Sequence, residues 1–216
     1  MSNNLLARKG RHRQRYEDQL RLVAGCIPYK LKKNLENKNC STPENRVLVL
    51  MISTPNRHDL VFPKGGWEDD ETIGEAACRE ALEEAGVKGL LDENPLGVWE
   101  FRSKSRQNSN SCSKEGGCRG HMFALEVTEE LDSWPEQATY NRKWLCIEEA
   151  FKFCRYDWMR DALNNFLIAL KKERTQEIRE MVGDFPAVPV SVSDAGKEHQ
   201  TLSPGLFRCS SSTAAA

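Results

Sequence analysis

The stretch that most constrains this chain is a short helix whose inward-facing arc carries glutamates. Thr72, followed three residues later by Glu75, forms a capping box, and Gly86 supplies the left-handed residue that ends such a helix. The spacing predicts a helix over 73–85. On a wheel of about 100° per residue, Glu80 and Glu84 lie within about 20° on either side of Ile73, between Ala76 and Ala77. Glu80, Glu83 and Glu84 stand at i, i+3 and i+4, so their carboxylates converge within one turn. Converging, partly buried carboxylates repel one another and lose hydration. Two readings follow. One is a solvated acidic face with Glu75 and Arg79 as an i,i+4 pair. The other is a cation site, for which hard oxygen ligands favour Mg²⁺ or Mn²⁺ and suit phosphate-bearing substrates. Gly65-Gly66, just upstream, lets backbone approach the carboxylates closely and favours the second reading.

The rest of the chain bounds what surrounds that helix. It has 216 residues, enough for one domain with a core plus tails. Lys and Arg number 31 and Asp and Glu 32, for a net charge of −1, so a nucleic-acid partner is not expected and any basic function must be a local patch. No apolar run approaches the roughly 18–20 residues of a membrane span, and no membrane role is expected. The eight cysteines form no CxxC pair and read as reduced thiols inside the cell. Cys112, Cys118 and His121 are close in sequence, but their spacing does not suit zinc and a fourth ligand is missing.

Residues 1–17 read as a basic flexible arm, free of acids as far as Tyr16, which could fold over a polyanionic ligand. Arg-rich, acid-poor composition also leaves a mitochondrial address open, with cytoplasm and nucleus as the default. Strands are expected at 20–27, 47–52, 60–62, 96–101, 122–127 and 142–146. Residues 30–45 and 102–120 read as polar loops. Helices are expected at 147–154 and 158–172. The compact domain is expected over 18–172, with 173–216 a mostly disordered tail.

A resemblance enters through the acidic segment. Gly65, five residues, Glu71, seven residues, Arg79-Glu80-Ala81-Leu82-Glu83-Glu84-Ala85-Gly86-Val87 is similar to the Nudix box, G-x5-E-x7-R-E-U-x-E-E-x-G-U with U a bulky aliphatic. Ala81 is the one departure, smaller than usual at its position. The resemblance implies an α/β fold, an α/β/α sandwich with a mixed β-sheet between helices. It implies hydrolysis of a phosphoanhydride with Mg²⁺ or Mn²⁺. Carried over by position, Glu80, Glu84 and the Gly65 carbonyl would hold the metal, and Glu83 would be the general base. Arg79 and Glu71 would orient the carboxylates by pairing; which glutamate is the base varies among subfamilies.

The flanks Phe62-Pro63-Lys64-Gly65-Gly66-Trp67 and Gly97-Val98-Trp99-Glu100-Phe101 resemble one subgroup, the diphosphoinositol polyphosphate phosphohydrolases, which also cleave diadenosine polyphosphates, and its plant members in particular. That resemblance makes Arg21, Ser53, Lys64, Arg102, Lys104, Arg106, Arg142 and Lys143 candidates for contacting a small, highly anionic polyphosphate. The alternatives are a Nudix hydrolase for ADP-ribose or NADH, and a non-catalytic polyphosphate-binding module. The sequence leaves the oligomeric state open.

Overall fold

A computed structural model describes residues 6–32, 47–102 and 116–182. Its centre is an uncommonly long strand, β2 (Leu20–Leu31), in which Leu22 to Ile27 is buried almost without a break. Alternation vanishes there because both faces of the sheet are covered. β2 pairs antiparallel with β3 (Val47–Ser53) and parallel with β8 (Gly117–Glu130). Among the described residues the mixed sheet has nine strands, with the central order β4-β3-β2-β8-β6, β4 being Leu60–Val61 and β6 Val87–Leu91. β7 (Gly97–Arg102) pairs with β8, and β9 (Asn141–Cys146) with β3. This is the expected α/β class, with helices α1 (Ile73–Ala85), α2 (Ile147–Phe153) and α3 (Asp157–Val182) on the sheet.

Several short elements lie outside the sequence expectation. β1 (Tyr16–Glu17) joins β2 through a two-residue turn in which Asp18 and Gln19 both have positive φ, the twist a tight hairpin requires. β5 (Lys64–Gly66) pairs with the middle of β2, setting Gly65 against Ala24. β8 starts at Gly117, inside the expected loop, and α3 runs ten residues beyond the expected end at Lys172. The described part of the basic arm is held rather than free. Arg8 pairs with Glu68 at 2.7 Å and Asp70 at 2.9 Å, Arg13 pairs with Asp70, and Arg15 donates to the Glu68 and Asp69 carbonyls. The acidic run before α1 is what draws it in.

Candidate active site

Helix α1 forms where the sequence places it, and its ends fix the site. Thr72 accepts from the Glu75 amide while Glu75 accepts from the Thr72 amide. Gly86 closes the helix at φ 64° and ψ 37°, and the Trp134 ring lies where a Cβ on Gly86 would sit. Ala76, Ala77, Ala81 and Ala85 are fully buried. Small side chains, Ala81 included, let α1 approach the sheet closely.

That approach carries the glutamates inward. Glu80, Glu83 and Glu84 are 8%, 7% and 8% exposed, the buried charged residues of the described chain. Gly65 lies against Glu80 so tightly that a Cβ there would overlap the carboxylate. Glu84 accepts from the Lys64 amide at 2.8 Å and is also bonded by the Tyr140 side chain. Burial, then the charge of Glu84, holds the Glu80 carboxyl well above the ordinary carboxylate range. Burial likewise raises Glu84, opposed by Lys64, and raises Glu83, opposed by Arg79.

Arg79 organises the cluster. Its guanidinium donates to Glu71 at 2.8 and 2.9 Å, to Glu80 at 2.7 Å, to Glu83 at 3.3 Å and to the Gly66 carbonyl at 2.8 Å. Its hydrogen bonds to Glu71 and the charge of Glu80 outweigh burial and keep it protonated. Glu71 is itself bonded by the Glu68 amide. Glu83 accepts from the Arg8 amide at 3.3 Å.

No three acidic, His or Cys side chains among the described residues already converge tightly enough to encircle an ion. The donor set nonetheless fits a hard cation. Two buried, mutually repelling carboxylates meet the backbone of β5, Glu80 at Gly65 and Glu84 at the Lys64 amide, and Mg²⁺ ordinarily takes one or two protein carboxylates, keeping water and substrate oxygens for the rest.

The carboxylates open into a cleft of about 450 Å³ whose walls include Arg8, Gln14, Arg21, Lys64, Arg79 and Tyr140. Of the residues the resemblance offered for substrate, Arg21 and Lys64 line this cleft. Arg142 does not. It donates to the Ala85 and Gly86 carbonyls at 3.3 and 3.1 Å and lies over the Trp134 ring at 4.5 Å, capping the C-terminus of α1. Lys143 is exposed on β9, and Ser53 donates to the Asn141 carbonyl; neither lines the cleft. Arg102 lines a separate cavity next to it. Lys104 and Arg106 lie outside the described residues. Sequence reading missed Arg8, Gln14 and Tyr140, because only the fold brings the arm and the end of the loop before β9 to the acidic helix.

A NUDIX domain model matches residues 40–166. The chain is 61% identical over 172 residues to Nudix hydrolase 13, mitochondrial, of Arabidopsis thaliana, covering 79% of this chain and 85% of that one. It is 36% identical over 116 residues to diphosphoinositol polyphosphate phosphohydrolase 3-beta of Homo sapiens, covering 52% of this chain and 63% of that protein. Among solved structures, the E. coli dihydroneopterin triphosphate pyrophosphohydrolase aligns with a TM-score of 0.50 at 20% identity, over 68% of this chain and 95% of that one, a likeness of fold.

Proposed function

The chain belongs to the Nudix hydrolase family, and from that premise we propose that it cleaves phosphoanhydride bonds in highly phosphorylated small molecules, diphosphoinositol polyphosphates or diadenosine polyphosphates. The observation that carries this reading is the buried Glu80–Glu84 pair on the Lys64-Gly65 backbone, opening into a cleft with Arg8, Arg21 and Lys64 on its walls. The similarity to the human diphosphoinositol polyphosphate phosphohydrolase supports the substrate class.

Glu80, Glu84 and the Gly65 carbonyl would hold Mg²⁺ or Mn²⁺. Such an ion offsets phosphate charge and acidifies water. Arg8, Arg21 and Lys64 bring further positive charge to the polyphosphate and fix its position, the main need of phosphoryl transfer. Glu83 accepts the proton of the attacking water; its raised carboxyl brings it nearer to the working pH of a base. Arg79, held by Glu71, positions Glu80 and Glu83 from the wall of the cleft.

The test is a substrate panel with purified protein in Mg²⁺ and in Mn²⁺: diphosphoinositol pentakisphosphate, diadenosine hexaphosphate, ADP-ribose and NADH. Turnover of the first two well above the others supports the reading. Turnover of ADP-ribose or NADH alone would keep the chemistry and discard the substrate class. The mitochondrial name of the Arabidopsis relative supports the same address here, which imaging a fluorescent fusion with and without residues 1–16 tests.

A further inference from the structure

Gln14, in the basic arm, lies on the wall of the carboxylate cleft and has no part in the chemistry above. Its side chain is wedged where three segments meet. Nε2 donates to the carbonyls of Leu22 at 2.8 Å, Trp67 at 3.0 Å and Arg15 at 3.2 Å. Backbone bonds close the same junction. The Arg15 amide donates to the Trp67 carbonyl, the Trp67 amide to the Leu22 carbonyl, and the Leu22 amide to the Arg15 carbonyl, at 3.0, 3.1 and 3.0 Å. Gly66 makes the room, since a Cβ there would overlap the Gln14 amide oxygen and crowd the Arg21 guanidinium. Three surrounding carbonyls fix which end of the amide carries the nitrogen. The oxygen, Oε1, is left to accept from Arg21 Nε at 2.9 Å.

Arg21 differs from the other arginines of the cleft. Arg8 pairs with Glu68 and Asp70, Arg79 with Glu71, Glu80 and Glu83, and Arg155 with Asp59. Among the described residues no carboxylate pairs with Arg21, and its one hydrogen-bonded side-chain nitrogen is Nε. A carboxylate partner would hold the guanidinium but cancel its charge and compete with an incoming phosphate. A neutral amide holds it and leaves the charge intact, with Nη1 and Nη2 available for a forked contact to phosphate. A side chain fixed beforehand also loses less rotamer freedom on binding.

We propose that Gln14 is a positioning residue: it orients Arg21 toward a phosphate of the substrate without neutralising it. The proposal rests on the reading of the cleft as a polyphosphate site. It makes the arm part of the binding machinery through a residue with no charge of its own.

The test is a double-mutant cycle in the full-length chain: wild type, Gln14→Met, Arg21→Met and the double variant, with Arg21→Lys beside them. Each is titrated calorimetrically with pyrophosphate in Mg²⁺ and assayed on diadenosine hexaphosphate and diphosphoinositol pentakisphosphate. Gln14→Met keeps the bulk over Gly66 and removes the hydrogen bonds. It is expected to weaken pyrophosphate about fivefold and to raise KM by about as much, with kcat within about twofold. In the Arg21→Met background the same change should alter affinity by less than about 1.5-fold. Arg21→Lys keeps the charge but loses the oriented fork, and should weaken pyrophosphate about fivefold as well. A Gln14→Met loss of equal size in both Arg21 backgrounds overturns the proposal, because Gln14 then acts on the fold alone. Arg21→Lys binding as wild type does overturns it too, even if Gln14→Met fails to fold, because charge then suffices without orientation. Wild type that binds no pyrophosphate also overturns it. Wild type that binds pyrophosphate but hydrolyses nothing overturns the function of the cleft instead, and the cycle still decides Gln14.

Discussion

Helices α1 and α3 both pack on the sheet, yet they bury opposite chemistries. α3 turns in Trp158, Met159, Leu163 and Phe166, large apolar side chains that exclude water. α1 turns in four alanines and three glutamates. On α3 burial is where stability comes from. On α1 it works against stability, since desolvation drives all three carboxyls toward their protonated forms. What α1 gains from its alanines is proximity: its carboxylates meet the backbone of β5, as a cation and a phosphate chain require.

Substitutions on the two helices should therefore separate activity from stability. The largest expected effect is catalytic. Glu83→Gln should lower kcat by roughly 10²–10⁴, the usual worth of a positioned base, without lowering the melting temperature. Full turnover in that variant would remove Glu83 from the chemistry. Phe166→Ala on α3 should do the reverse, costing about 3–5 kcal/mol in denaturant unfolding while the folded fraction keeps its kcat. An intermediate effect is expected at Arg142→Ala, which strips the α1 C-terminus of its cap and should cost about 1–2 kcal/mol with KM unchanged. A raised KM there would return Arg142 to the substrate.

The smallest effect expected is on pH. Unfolded, Glu80 and Glu84 ionise in the ordinary range near about pH 4.3. Folded, they hold protons to higher pH, so above that range the folded state binds more protons than the unfolded one. Stability then falls as pH rises toward and past neutrality. In chelator the melting temperature should drop by a few degrees between about pH 5 and about pH 8, and saturating Mg²⁺ should remove the drop. A flat profile in chelator would mean that the pair carries no such burden.

Much of α1 was legible in the sequence. The capping box and Gly86 mark its ends at Ile73 and Ala85, and the wheel places Glu80 and Glu84 on the buried arc. The apolar runs of β2 and β3 were equally plain. β5 was not, since Lys64-Gly65-Gly66 has no strand propensity and pairs only because β2 extends past β3. The start of β8 hid in Gly117-Cys118-Arg119-Gly120 for the same reason. Pairings between distant segments, β2 with β8 above all, have no local signature. Nor does the difference between Arg21, which reaches the cleft, and Arg142, which caps a helix; both are strand arginines, and only tertiary contacts divide them.

The central claim is that the buried face of α1 is a metal site, and titration with Mn²⁺ followed by electron paramagnetic resonance tests it most directly. Wild type and Glu83→Gln should bind the ion alike, and Glu80→Gln and Glu84→Gln should each weaken it by about tenfold or more. Equal Mn²⁺ affinity in all four proteins would contradict the account.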